Sequence, residues 1–184
     1  MKPSIGMIET NSIAKGIEAS DAMCKMAEVA LEYARPVSKG KYVVLISGSL
    51  GEVQSSLLAG KEIAGPSLAG SFLSPNVHPQ VGEALARKRS VPGLDAVGIV
   101  ETQTVSTAVL AADAAVKAAH VELIEINQSK GIGGKAYFTL TGEVGAVRTA
   151  VNAACAALPS QEEALVSRVV IPQAHPHLEA SLLK

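Results

Sequence analysis

The alternation of apolar and polar positions divides the chain into short elements. Residues 4–10 form an apolar run of strand length, and Asn11-Ser12 then offers a helix-capping side chain. The helix predicted from there to about Met26 carries Ile13, Ile17, Ala22 and Met26 on or near one stripe. Val29, Leu31 and Tyr33 alternate with Glu28, Glu32 and Ala34, the pattern of a strand exposed on one face. Arg35 to Gly40 reads as a turn, Lys41 to Ser47 as a β-rich run, and Gly48 ends it. A second helix is expected from Glu52 to about Ala64, after which Phe72-Leu73 leads into Pro75. The same order then returns: a strand at 96–102, a helix at 105–118, a strand at 120–127 and a Gly-rich loop at 130–134. A strand at 135–141, a helix at 144–157 and a last strand from Val166 to Ile171, stopped by Pro172, complete it.

The recurrence extends to residue identity. Ile5-Gly6-Met7-Ile8-Glu9-Thr10 returns 92 positions later as Val97-Gly98-Ile99-Val100-Glu101-Thr102, and Asp21-Ala22-Met23-Cys24-Lys25 as Asp113-Ala114-Ala115-Val116-Lys117. Gly48 and Val53 answer to Gly142 and Val147 at an offset of 94, and Pro75 to Pro79 answers to Pro172 to Pro176 at 97. Two copies of one domain with short insertions in different loops produce such a growing offset. The expected domains are therefore residues 1–92 and 93–184. Each reads as β-α-β-β-α-β, an α/β fold of ferredoxin-like wiring in tandem duplication, with both helices on one face of the sheet. The other face is expected to be bare, kept wet in part by Glu28, Glu32, Glu122 and Glu125.

Composition narrows the core and the partners. The chain is 48% hydrophobic but only 3% aromatic and has no Trp, so the core must be built from Ala, Val, Ile and Leu. Formal charge is -1, and neither half carries the basic excess that a nucleic-acid backbone asks for. Gly, charges and turns interrupt every apolar stretch before membrane-spanning length, and the expected location is the cytosol. Cys24 and Cys155 fall in apolar helical contexts at non-equivalent positions and are expected to be buried free thiols.

Catalytic chemistry finds little support. Of the four histidines, His78 and His175 are counterparts that each precede a proline, a setting for a loop-locking hydrogen bond; His175 and His177 would need another segment to hold a metal. Asp21 and Asp113 stand four residues before Lys25 and Lys117, which gives either an ordinary helical ion pair or lysines aimed outward at a subunit edge. The run Gly131-Ile132-Gly133-Gly134-Lys135 feeds a strand, not a helix, and lacks the spacing of a phosphate loop. What remains is a pair of small, mildly basic loops at corresponding places, Val37-Ser38-Lys39-Gly40 and residues 129–134. Such loops would line a hole if the copies alternated around an axis.

These residues carry a resemblance. Gly6-Met7-Ile8-Glu9-Thr10, Ala19-Ser20-Asp21-Ala22-Met23, Gly48-Ser49-Leu50-Gly51-Glu52-Val53 and their second-copy counterparts, through Ile171-Pro172-Gln173-Ala174-His175, are similar to tandem-domain shell proteins of bacterial microcompartments. The similarity is strongest to the non-permuted class that includes the tandem shell protein of propanediol-utilisation compartments. The resemblance implies a cyclic homotrimer that imitates a hexamer and tiles edge to edge with neighbouring shell hexamers and trimers. It implies a central pore for small polar metabolites, lined by Val37, Ser38, Lys39 and Gly40 with Ile132, Gly133 and Gly134 nearby. It places Lys25, Lys117, Asn76, His78, Gln173 and His175 at tile edges; Asn76 and Gln173 stand where many relatives have Arg. Propanediol-utilisation relatives hold a [4Fe–4S] cluster in the pore through a cysteine at the place of Ser38, which offers no thiolate. No metal or other cofactor and no enzymatic activity are expected. An electron-transfer module and a ligand-binding sensor on ferredoxin-like domains are the alternatives.

Overall fold

The structure, a computed structural model, describes residues 3–86, 88–128 and 133–183. They fall into two compact units. The first comprises residues 3–77, 104–107 and 133–135, and the second residues 78–86, 88–103, 108–128 and 136–183.

In the first unit, β1 (Ser4–Thr10), α1 (Ile13–Met26), β2 (Ala30–Pro36), β3 (Tyr42–Gly48), α2 (Leu50–Ala64) and β4 (Leu68–Ser74) follow the expected order. Their antiparallel sheet runs β2-β3-β1-β4, with Met7 opposite Leu45 on one side and Phe72 on the other. Ser12 caps α1 by accepting from Lys15 N. At α2, Ser49 and Glu52 form a reciprocal capping box, which starts the helix at Leu50, ahead of Glu52. The core between helices and sheet is Ile8, Ala19, Met23, Tyr42, Val44, Ile46, Val53 and Leu57.

Three expectations are corrected here. The apolar stripe of α1 does not face this core: Ile13, Ile17 and Met26 are exposed, and the buried positions are Gly16, Ala19, Ser20 and Met23. The reason is close approach. A Cβ on Gly16 would run into the Tyr42 ring, and one on Gly60 would lie 2.6 Å from Met23, so the covered stripe has to be small. Cys24, one residue beyond that stripe, is exposed, while Cys155 is buried as expected. Nor is the second face of the sheet bare. Ile5, Met7, Val43 and Leu45 alternate with the helix-facing residues and are fully buried too; Glu28 and Glu32 lie at the exposed β2 end.

The second unit holds α3 (Pro79–Leu85), β5 (Ala96–Thr102), α4 (Val105–Ala118, from Ala108 onward), β6 (Glu122–Asn127) and β7 (Ala136–Gly142). It continues through α5 (Val144–Ala156), α6 (Gln161–Ala164), β8 (Leu165–Ile171) and α7 (Glu179–Leu182). Its sheet repeats the order as β6-β7-β5-β8. Helix α5 lies so close that a Cβ on Gly98 would be 2.8 Å from Val151. The outer edge of β6 is covered. Gln80 at the start of α3 donates to Val121 O at 3.1 Å and accepts from Leu123 N at 2.7 Å. Arg89 donates to Leu123 O and Glu83 and pairs with Glu122. Here Tyr137 donates to Glu125 at 3.0 Å; burial and the adjacent carboxylate raise its pKa above the ordinary phenol value. No helix among the described residues is long and apolar enough to cross a membrane.

Candidate functional site

The loop between β2 and β3 is held in a defined shape. Val37 N donates to Lys41 O at 2.9 Å, and residues 38–40 make one 3₁₀ turn. Lys39 (φ 61°) and Gly40 (φ 69°) are both left-handed, a conformation that suits glycine and costs a lysine about 1 kcal/mol or more. Val37 and Ser38 are half-buried, whereas Lys39 and Gly40 are exposed.

Within the same unit this loop meets the corresponding loop of the second repeat. Gly133 (φ 66°) and Gly134 (φ 83°) repeat the left-handed pair, and a Cβ on either would lie 3.5 Å from the Lys39 side chain. Lys41 ties them down: its Nζ donates to Gly134 O at 3.2 Å and to Glu9 at 2.9 Å. The structure thus brings Ser38, Lys39, Gly133 and Gly134 together; Ile132 lies outside the described residues.

Glu9, which sequence reasoning passed over, is the centre of this arrangement. It is fully buried, and besides the Lys41 ammonium it accepts from Val105 N at 2.7 Å and Ser106 N at 3.3 Å. A buried carboxylate on the first N–H groups of a helix satisfies both the charge and the orphan donors. An acid inside an otherwise apolar strand, present in both repeats as Glu9 and Glu101, is the signal that could have found it.

The remaining candidates belong to other elements. Lys25 pairs with Asp21 at 2.7 Å with both side chains exposed. Lys117 pairs with Asp113 at 2.5 Å, and Asp113, nearly buried, also accepts from His78 N at 2.8 Å. Both helical ion pairs therefore form. His78 Nδ1 accepts from Gln80 N, and His175 Nδ1 from His177 N, each at 3.3 Å, so each histidine stabilises the turn after its strand. Asn76, Gln173 and His175 are exposed. Among the described residues no group of three or more His, Cys, Asp or Glu is placed to hold a metal ion. Cys24 on α1 and Cys155 on α5 are the chain's two thiols, and neither is in a β2–β3-type loop, so the residues at Ser38 do not fit an iron–sulfur cluster.

Comparison with known proteins agrees with this duplicated geometry. A BMC domain matches residues 4–81 and again residues 96–174. The chain is 41% identical over 175 residues, 95% of each sequence, to the bacterial microcompartment shell protein PduT of Citrobacter freundii. It is 36% identical over 77 residues, 42% of this chain and 75% of that protein, to the carboxysome shell protein CcmK2 of Synechocystis. Among solved structures, a microcompartment protein from Desulfitobacterium hafniense superposes with a TM-score of 0.85 at 47% identity, over 98% of this chain and 99% of that one.

Proposed function

Since this chain belongs to the BMC-domain family and carries the domain twice, we propose that it is a structural tile of a bacterial microcompartment shell, without catalytic activity. Its repeats, residues 1–92 and 93–184, alternate around the axis of a cyclic homotrimer with the outline of a hexamer. Val37, Ser38, Lys39 and Gly40 line the central opening, and Ile132, Gly133 and Gly134 border it. The observation that carries this reading is the meeting of equivalent left-handed loops from the two repeats, the arrangement a pseudo-sixfold rim needs. The half-buried Ser38 and exposed Lys39 would make the rim hydroxylic and cationic, suited to small polar or anionic solutes through lining donors and charge. Lys25, Lys117, Asn76, His78, Gln173 and His175 lie along the edges that meet neighbouring hexamers and trimers in a flat sheet. Native mass spectrometry tests the ring directly: a trimer at three times the bare polypeptide mass supports it, and a persistent monomer refutes it.

A further inference from the structure

The two repeats are not equally covered. In α4, Val105 and Val109 have no exposed surface, whereas their counterparts 92 positions earlier in α1, Ile13 and Ile17, are 41% and 54% exposed. Cys24 is exposed against a buried Val116, and Leu31 is 46% exposed against a fully buried Leu123. The α1 face has the apolar pattern of a packed helix and lacks the packing.

The first unit displays what covers such a helix start. Glu9 accepts from the first two N–H groups of α4, and Lys41 reaches Gly134 O. Gly70 on β4 makes room for Ser106: a Cβ there would collide with Ser106 Oγ and stand 3.6 Å from Ser106 Cβ. Every receiving group has a twin in the second repeat. Glu101 opposes Ser167 across β5 and β8 as Glu9 opposes Gly70 across β1 and β4, and Lys135 corresponds to Lys41. Ser167 is exposed and Glu101 only half-buried, against the full burial of Glu9. The received segment has its twin in Ser12 to Lys15, whose second helical residue is Ala14 where α4 has Ser106. Thus a glycine faces a serine in one case, and a serine would face an alanine in the other. The hydroxyl changes sides, and the second pair is larger than the first by one methylene, a difference a surface contact can absorb.

The geometry points to Glu101, Lys135 and Ser167 as a seat for the N-terminal turn of α1 of a second copy of this chain, an inference that rests on the ring proposed above. Glu101 takes Ile13 N and Ala14 N, which are orphan donors of a first helical turn. Lys135 donates to the second copy's Gly40 O, and Ser167 packs on Ala14. A separate contact leads to the same pairing. His78 N donates to Asp113, so His175 N is matched to the exposed Asp21 of the second copy. Seat and turn are different surfaces, and such head-to-tail contacts close into a ring when the rotation between copies closes.

The test is a disulfide across the seam, Ala14→Cys with Ser167→Cys in a Cys24→Ser background. The 3.6 Å separation of the template lies within the roughly 3.5–4.5 Å that disulfide Cβ atoms span. Both sites are exposed, so the substitutions do not endanger folding. After mild oxidation the double variant should shift from the monomer position to three times that mass on a denaturing gel, and return on reduction, while either single variant does not shift. A parent that is trimeric by native mass spectrometry but whose double variant keeps the two introduced thiols free, or closes a bond within one chain, overturns the seat and leaves the ring standing. A monomeric parent removes both.

Discussion

Gly70 has a side-chain-free surface because Ser106 occupies the space a Cβ would need. Gly70→Ser should therefore lower stability by about 1–3 kcal/mol, as overpacking does. Adding Ser106→Ala, which removes the hydroxyl nearest to that Cβ, should recover part of the loss. Denaturant unfolding of the three variants checks this, and simple additivity of the two changes would refute the shared space. Sequence alone could not supply this relation. Glu9 and Glu101 are visible as repeated acids, but only the fold shows that Glu9 is buried with an ammonium and two N–H groups around it. The exposure of Cys24 was likewise illegible, because an apolar neighbourhood in sequence does not say which stripe of a helix is covered.

At the scale of elements, strands and long helices were legible because their periods are strong: β1, β5 and α4 have the expected limits. The short pieces were not. Helix α3 spans seven residues, too few for a helical period to register, and its signal is the local one of a His78 cap followed by Pro79. Strand β4 begins at Leu68, ahead of Phe72, because the 3₁₀ turn Gly65–Ser67 ends α2 and releases the chain early. Helix α5 offers a test of capping. Glu143 accepts from Gly145 N at 2.9 Å and Ala146 N at 3.1 Å, and these bonds hold its carboxyl below the ordinary value. A carboxyl with a depressed folded pKa stabilises above its unfolded pKa and loses that contribution as pH falls through the folded one. Glu143→Gln should thus melt below the parent at neutral pH and converge with it in acid. Melting temperatures across that range decide, and a constant gap would mean that charge plays no part.

For the whole molecule, duplication was the most legible property, since matched strings survive small loop insertions; which helix faces are covered was not, because both repeats are written with nearly the same apolar pattern. The Lys25–Asp21 pair is exposed and worth roughly 0–1 kcal/mol, so its loss leaves the fold intact. Changing Lys25 and Lys117 to Ala should abolish extended sheets in electron micrographs while the trimer persists in solution. Loss of the trimer would assign these lysines to the ring and not to the tile edge. The left-handed loops carry a consequence of a different kind. Lys39 and Gly133 occupy equivalent backbone shapes, one bearing a cation and the other none. Because the shape is shared, a lineage can add or delete a charge at either position without rebuilding the loop. In the ring proposed above, duplication would turn a rim whose six positions change together into two sets of three that selection can adjust one at a time.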